Sequence, residues 1–185
     1  MQILSGTSES LPKYLMSEVA EYRHQVFVER LGWSLQTENN MEIDQFDHPE
    51  TVYVIVQGNQ GEITGCARLL PTTGPYLLGE VFPQLLNSMP LPCTPEIWEL
   101  SRFATGRPKN PGACPEEAAG QMVRILLEKS IACAAGYGAK KLITVTSLPV
   151  ERLLVRYGFR SHRAGAPTSV GDEIVVARWI ELSEK

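Results

Sequence analysis

Apolar positions near the start of the chain recur at the spacing of one helical face. Between about Pro12 and Leu31 they fall on a single stripe, and Gly32 is placed to end the helix. The members of this stripe are Leu15, Val19, Tyr22, Val26 and Phe27. Residues 33–50 are polar and acidic. The pattern therefore predicts an amphipathic helix followed by a loop.

Branched apolar runs separated by turn residues follow this loop. Residues 51–57 and 62–70 are predicted to form two strands joined by the turn 58–61. Residues 79–88 are predicted to contain a short helix with Phe82, and a proline-rich link leads to a further strand over 97–104.

Helix and strand patterns alternate in the second half of the chain. Pro115, Glu116 and Glu117 are typical of a helix start, because proline is tolerated in the first turn and acids favour the positive end of the helix dipole. The predicted elements are a helix from Pro115 to about Gly136, a buried strand over 142–146, a short helix over 149–157 and a last strand over 173–182.

This order of elements predicts an α/β fold. The expected architecture is a single-domain α/β/α sandwich with a mixed sheet, which fits the acyl-CoA N-acetyltransferase fold. We assign residues 1–185 to one domain, because this length suits a single hydrophobic core.

Composition and charge narrow the class of protein. Hydrophobic residues make up 43% and charged residues 21%, as in a soluble globular protein. The net charge of −4 argues against nucleic-acid binding. No apolar run is long enough for membrane insertion, and the first residues lack a signal peptide pattern, so a cytoplasmic location is predicted. The 4 cysteines and 3 histidines are scattered, so we expect reduced thiols and no metal site.

The segment Ile97–Ala104 places charged side chains in an otherwise apolar strand. Burying a charge costs several kcal/mol unless it is paired, so such charges persist mainly where they pair or do chemistry. Strict alternation puts Glu99 and Arg102 on opposite faces, and a bulge near Leu100 would bring them closer. The alternative is an edge strand with two solvated charges.

Other charged residues also stand beside apolar ones, in the first 70 residues. They are Arg23, Glu42, Asp44, Asp47 and Arg68. One interpretation is structural: the acids pair with the arginines and hold the N-terminal segment on the sheet. The other adds a ligand, because carboxylates and guanidiniums beside Phe27 and Trp33 suit a zwitterionic or cationic small molecule with a ring. Glu99 would then be left as a base.

Taken together, these positions resemble the acyl-homoserine lactone synthases, the autoinducer synthase family of bacterial quorum sensing. The resemblance covers nearly all of the chain, although residues 106–115 and the last few match least. The matching residues are Arg23, Phe27, Val28, Trp33, Glu42, Asp44 to Asp47, Tyr53, Gly65 to Leu69, Leu77, Leu78, Phe82 and Trp98 to Phe103.

The resemblance implies an acyltransferase with two substrates and no cofactor. S-adenosylmethionine supplies an amine, which attacks an acyl thioester on acyl carrier protein or coenzyme A. The carboxylate of the product then displaces methylthioadenosine and closes the lactone. An α-amine with a pKa of about 7.7–8.0 is largely protonated near neutrality, so Glu99 is expected to remove the proton, directly or through a water.

The resemblance also implies roles for individual residues. Glu99 and Arg102 are the expected catalytic residues. The S-adenosylmethionine site is expected to comprise Arg23, Phe27, Trp33, Asp44, Asp47, Arg68 and Phe103. The acyl chain is expected to contact Leu100, Ser101, Met122, Leu126 and Thr144, which are also ordinary core positions. A threonine at the position of Thr144 often accompanies a 3-oxo acyl chain in the family.

Arg152 and Arg156 lie four apart on a predicted helix and so share a face. We expect this face to dock the acidic carrier protein, with Lys140, Lys141, Arg160 and Arg163 nearby in sequence. A merely solvated basic face is the alternative.

The main alternative function is an acetyl-CoA-dependent N-acetyltransferase. Such enzymes usually carry an Arg/Gln-x-x-Gly-x-Gly/Ala loop whose amides hold the pyrophosphate at a helix start. Residues 112–117 lack this pattern and present acids instead. An inactive binding protein of the same fold would not need the charged residues, and a DNA-binding regulator would need a basic recognition helix that this chain lacks.

Overall fold

The computed structural model describes residues 1–107, 116–171 and 173–182. Its elements are β1 (Gln2–Thr7), α1 (Lys13–Arg23), a π-helical segment (His24–Arg30), β2 (Thr37–Glu38), β3 (Met41–Glu42), β4 (Val52–Gln57), β5 (Ile63–Pro71), α2 (Leu77–Val81), a 3₁₀ turn (Pro83–Leu86), β6 (Ile97–Thr105), α3 (Glu116–Gly136), β7 (Lys141–Ser147), α4 (Leu148–Arg156), β8 (Ser161–Arg163), β9 (Thr168–Val170) and β10 (Glu173–Glu181). No helix among these residues has both the length and the apolar character needed to cross a membrane.

The chain divides into two compact units. The first comprises Met1–Arg68 and Arg102–Ser130, and the second comprises Leu69–Ser101 and Ile131–Lys185. β5, β6 and α3 each contribute residues to both units.

The first unit is built on the strand order β1-β4-β5-β6. β1 and β4 are antiparallel, with Gln2 opposite Gln57 and Thr7 opposite Val52. The apolar stripe of α1 packs on this sheet, and Leu15 and Val19 are buried with Ile55 of β4 in one cluster. The periodicity of the sequence therefore predicted which face of α1 is buried.

The second unit carries the strand order β5-β6-β7-β10-β8, and β9 also pairs with β10. β6 and β7 are parallel, whereas β7 and β10 are antiparallel. The predicted mixed sheet is thus confirmed. Leu142, Ile143 and Thr144 of β7 are buried, as expected for an internal strand.

Several local predictions need correction. The first helix is not uniformly α-helical to Leu31: the Leu31 N–H donates to the Val26 carbonyl five residues back, which defines a π-helical turn. The predicted helix over 79–88 is divided between α2 and the 3₁₀ turn. Phe82 separates them because the proline that follows disfavours helical backbone at the preceding residue.

Three strands and one small hairpin were not predicted. β1, β8 and β9 are short, and β2 and β3 form a two-residue hairpin within the predicted acidic loop. The predicted helix start at Pro115 lies outside the described residues, although the helix itself is present from Glu116.

Candidate active site

Three arginines and three carboxylates of the first unit form a closed ring of alternating charges. The order around the ring is Arg102, Glu42, Arg23, Asp47, Arg68 and Asp44, which pairs with Arg102 again. The shortest N···O distance in each of these ion pairs lies between 2.6 and 3.0 Å. The predicted pairing of the acids with the three arginines is therefore confirmed, and the six charges balance.

Local backbone structure places the ring members. Arg23 is the last residue of α1, and Arg68 and Arg102 lie on β5 and β6. Asp44 and Asp47 occupy one turn, in which the Asp44 N–H donates to Asp47 Oδ2 at 2.8 Å and the Asp47 N–H donates to the Asp44 carbonyl at 3.0 Å. Aspartates favour such turns because their side chains bond to nearby backbone N–H groups.

Asp47 is the most heavily hydrogen-bonded carboxylate of the ring. Arg23 donates to both of its oxygens at 2.7 and 2.9 Å, and Arg68 donates at 3.0 Å. The hydroxyl of buried Tyr53 adds a bond of 2.5 Å. Burial acts to raise the pKa of Asp47, but Arg23 and Arg68 outweigh it and hold the pKa far below its usual range. Burial and Asp47 raise the pKa of Tyr53, so this hydroxyl stays a donor.

The ring is most open to solvent at Asp44. The Asp44 side chain is 16% exposed, whereas that of Glu42 is 1% exposed. Burial acts to raise the pKa of Glu42, but its bonds to Arg102 and Arg23 lower it overall. Arg102 uses Nε and Nη2 in the ring, and its Nη1 donates no hydrogen bond to the described part of the chain.

Arg102 lies at an irregular point of β6. Its φ is +49°, which is unusual for a residue other than glycine, and all residues from Trp98 to Arg102 are buried. The backbone therefore departs from regular alternation at Arg102, two residues later than the bulge expected near Leu100. The alternative of an edge strand with solvated charges is wrong, because Glu99 and Arg102 are both buried.

Two aromatic rings adjoin the ring of charges. Phe27 and Trp33 are stacked, with centroids 4.9 Å apart and planes at 21°. The Arg102 guanidinium lies 5.7 Å from the centre of the Phe27 ring. The π-helical segment fixes this pair, since the Trp33 N–H donates to the Phe27 carbonyl at 2.9 Å. Phe103 is only half-buried on β6.

Glu99 belongs to the second unit and is fully buried. Its oxygens accept the backbone N–H groups of Leu77 at 2.9 Å and Leu78 at 2.6 Å, at the first turn of α2. These bonds fix the carboxylate where the helix dipole favours a negative charge. Leu77 and Leu78 match the family pattern, but the sequence did not predict this contact.

The predicted acyl-chain residues lie in both units. Met122 and Leu126 belong to the first unit, and Leu100, Ser101 and Thr144 to the second. Met122 is half-buried and the other four are buried. Their contact with an acyl chain stays a prediction.

The predicted basic face lies on α4. Arg152 and Arg156 are exposed, and with Arg163 and Arg178 they line a groove of about 450 Å³. Glu151, which no sequence pattern identified, also lines this groove. Other members of the predicted basic cluster are paired elsewhere: Lys140 with Glu96 and Lys141 with Glu181.

Within the described residues, no group of three or more His, Cys, Asp or Glu side chains could hold a metal ion.

Comparison with known proteins identifies relatives over almost the whole chain. The sequence profile of the family "Autoinducer synthase" matches residues 9–185. The acyl-homoserine-lactone synthase of Acinetobacter nosocomialis is 52% identical over 183 residues, covering 98% of this chain and 100% of that protein.

Solved structures agree with this match. The crystal structure of TofI in a ternary complex with an inhibitor and MTA superposes with a TM-score of 0.85 at 46% identity, covering 98% of this chain and 92% of TofI. A putative N-acetyltransferase from Lactobacillus plantarum has a TM-score of 0.65 at 16% identity and covers 98% of each chain, a likeness of fold alone. The predicted fold class is thereby confirmed, and the chain belongs to the autoinducer synthase family of enzymes.

Proposed function

We propose that this protein makes an N-acyl-L-homoserine lactone from S-adenosylmethionine and an acyl thioester, and releases methylthioadenosine. The observation that carries the proposal is the closed ring of charges with the stacked Phe27 and Trp33, in a chain 52% identical to an acyl-homoserine-lactone synthase. S-adenosylmethionine acts as a substrate, and no cofactor takes part. The cytoplasmic location predicted from the sequence belongs to the same proposal.

The amino-acid end of S-adenosylmethionine suits the open part of the ring. Its carboxylate can accept the unused N–H groups of Arg102 Nη1, and its ammonium can donate to Asp44, the most exposed carboxylate of the ring. Buried Arg23 and Arg68, with half-buried Asp47, hold these two residues in place through the ring. Such prior orientation lowers the entropic part of the activation barrier.

The adenosine end requires an aromatic wall. Phe27 and Trp33 present a stacked pair beside the Arg102 guanidinium, and half-buried Phe103 follows in sequence. A sulfonium cation is also attracted by aromatic faces. We therefore assign Phe27, Trp33 and Phe103 to this part of the substrate.

Glu99 is assigned as the general base. It takes a proton from the ammonium, directly or through a water, and the freed amine attacks the thioester carbonyl carbon. The C–S bond breaks, the thiolate leaves, and the second proton lost by the nitrogen converts the thiolate to the thiol. In the second step a carboxylate oxygen of the acylated substrate attacks the carbon γ to its carboxyl group. The bond from that carbon to the sulfonium breaks, which gives the lactone and neutral methylthioadenosine.

The acyl donor is assigned to the residues that the sequence predicts for it. Arg152 and Arg156 dock the acyl carrier protein or the phosphates of coenzyme A. Leu100, Ser101, Met122, Leu126 and Thr144 contact the acyl chain, with the hydroxyl of Thr144 available to an oxygen at its third carbon.

The test compares Glu99→Gln with Glu80→Gln, a matched control on α2 that removes an exposed carboxylate. Both variants and the wild type are supplied with S-adenosylmethionine and with acyl carrier protein or coenzyme A thioesters, and lactone is measured by mass spectrometry. General-base catalysis contributes about 10²–10⁴-fold, so Glu99→Gln is expected to lose at least about 100-fold in turnover while Glu80→Gln stays active.

Calorimetric binding of methylthioadenosine shows whether the Glu99→Gln variant keeps a working substrate site. Glu99→Asp, which retains the charge, should recover part of the activity. Full activity of Glu99→Gln would remove Glu99 from the base role. A folded wild type that forms only an acetylated amine from acetyl-CoA would replace the proposal by the acetyltransferase alternative.

We also propose that residues 1–185 act as one domain. The support is that β5, β6 and α3 each run through both compact units, so no single cut of the chain separates them.

A further inference from the structure

The second unit contains a buried carboxylate that the proposed reaction does not use. Glu151 lies on α4 and is 7% exposed. Arg163 donates two parallel hydrogen bonds of 2.8 Å to its oxygens, and Arg178 donates a third. Bidentate arginine–carboxylate pairs fix the relative orientation of both side chains.

These bonds tie three elements of the second unit together. Arg163 is the last residue of β8, and Arg178 belongs to β10. Arg178 also donates to the carbonyl and to the hydroxyl of Ser161, both at 2.9 Å. Glu151 is thus the point at which α4 is attached to these two strands by charged hydrogen bonds.

The attachment decides how α4 presents its exposed face. Arg152 directly follows Glu151, and Arg156 lies one turn further along. Successive helical residues are rotated by about 100°, so a helix held at its inward-facing Glu151 has a fixed direction for both arginines. Arg152, Arg156, Arg163 and Arg178 line the groove together, and Glu151 is the acid among them.

We propose that Glu151 is a positioning residue for the acyl donor: its pairing with Arg163 and Arg178 fixes the rotation of α4, and this rotation aims Arg152 and Arg156 at an anionic donor. The proposal rests on the proposed function, in which these two arginines dock the donor. Glu151 itself does not touch the donor.

An electrostatic role and a positioning role of Glu151 predict opposite effects of Glu151→Gln on donor binding. The substitution removes a negative charge beside four arginines, so electrostatic attraction alone predicts tighter binding of an anionic donor. Positioning predicts weaker binding, because glutamine cannot accept charged bonds on both ends and its NH₂ group faces a guanidinium. The sign of the change therefore separates the two roles.

The experiment uses the full chain with Glu151→Gln and with Arg163→Lys, which keeps the charge but loses the bidentate geometry. The control is Glu128→Gln, which removes an exposed carboxylate that accepts a 2.8 Å hydrogen bond from Arg124 on α3. The measurements are kcat, the KM for acyl-carrier-protein and coenzyme A donors, the KM for S-adenosylmethionine, and the Kd of the acyl carrier protein by calorimetry.

Glu151→Gln and Arg163→Lys are expected to raise the KM and the Kd of the donor about fivefold, which for the Kd is a loss of about 1 kcal/mol in binding free energy. The kcat and the KM for S-adenosylmethionine should change less than about twofold. Glu128→Gln should match the wild type. If the KM rises with the carrier-protein donor alone, the arginines of α4 contact the surface of the carrier protein itself. If the KM rises with both donors, these arginines contact the phosphate that the two donors share.

A lower or unchanged donor Kd in the folded Glu151→Gln variant would overturn the positioning role. So would an equal rise in the KM of both substrates, which marks a general structural defect. Measuring the Kd of the carrier protein requires no turnover, so this test of Glu151 can be read even if no lactone forms. A failure to form lactone would count against the proposed function and not against the positioning role.

Discussion

Tyr53 offers the cleanest single-atom perturbation of the charged ring. Its side chain is 2% exposed, and its hydroxyl donates to Asp47 Oδ1 at 2.5 Å. Tyr53→Phe deletes this oxygen, leaves the aromatic ring in its place, and creates no buried donor without a partner. The ring of six charges stays intact, so the substitution measures one hydrogen bond to a buried carboxylate.

The expected loss follows from the acceptor. Hydrogen bonds to charged groups contribute about 1.5–3 kcal/mol, more than neutral ones. Asp47 keeps its bonds from Arg23, Arg68 and the Asp44 N–H, so the lower end applies and we expect a loss of about 1.5 kcal/mol. For a chain of this length, that corresponds to a fall in Tm of about 3–6 °C.

The assay is thermal and urea unfolding of Tyr53→Phe beside Tyr14→Phe, the same chemical change at a side chain that is 65% exposed. Tyr14→Phe is expected to lie within about 0.5 kcal/mol of the wild type. Circular dichroism and tryptophan fluorescence should give coincident transitions if residues 1–185 form one domain. Equal stability of the two variants would refute the reasoning that Tyr53 supports Asp47.

Two further predictions concern packing and pH. Gly165→Ala is expected to lower the free energy of unfolding in urea by about 3 kcal/mol, because an added Cβ would overlap the Leu85 carbonyl oxygen. Gly74→Ala, with no atom within 4 Å of its Cβ, should be neutral. A wild-type stability for Gly165→Ala would contradict this packing. Acid should also destabilise the protein. Since the folded pKa values of Asp47, Glu42 and Glu151 (about 2 for Glu151) lie below their unfolded values, the unfolded state binds more protons. The free energy of unfolding should therefore be constant from neutral pH to about pH 5 and fall below pH 5, as measured by unfolding in urea. Equal stability at pH 7 and pH 3 would refute these pKa shifts.

Hydrophobic periodicity predicted the elements that have one strongly patterned face. The stripe of α1, the buried run of β7 and the helix α4 all follow from it. The sequence did not predict the π-helical segment. An α-helix and a π-helix differ in hydrogen-bond partner by one residue, and amino-acid composition does not reveal that difference. β1, half-exposed along its length, carries little apolar contrast, and β8 and β9 have three residues each, too few for a period.

The sequence predicted that acids of residues 42–47 pair with three arginines, but not which acid pairs with which arginine. Charged residues in apolar segments identified Glu42, Arg68, Glu99 and Arg102 one by one. The pair of Arg102 with Glu42 joins residues 60 positions apart, and no local pattern predicts such a contact. Glu151 was missed for the same reason: it sits in an ordinary amphipathic helix, and only the fold brings Arg163 and Arg178 to it.

The hydrogen bonds within the ring distinguish Arg23 from Arg102. Arg23 donates through Nε, Nη1 and Nη2 to Glu42 and Asp47, so its guanidinium is engaged on all three nitrogens. Arg102 donates through Nε and Nη2 alone within the described residues. A substrate carboxylate can therefore bind Arg102 without breaking an ion pair, whereas binding Arg23 would compete with a buried carboxylate. Because the ring is neutral, removing either arginine leaves a buried charge uncompensated, and that alone costs about 3–5 kcal/mol. We therefore expect deletion of Arg23 to abolish activity through the ring itself, and we propose that the direct substrate contact belongs to Arg102.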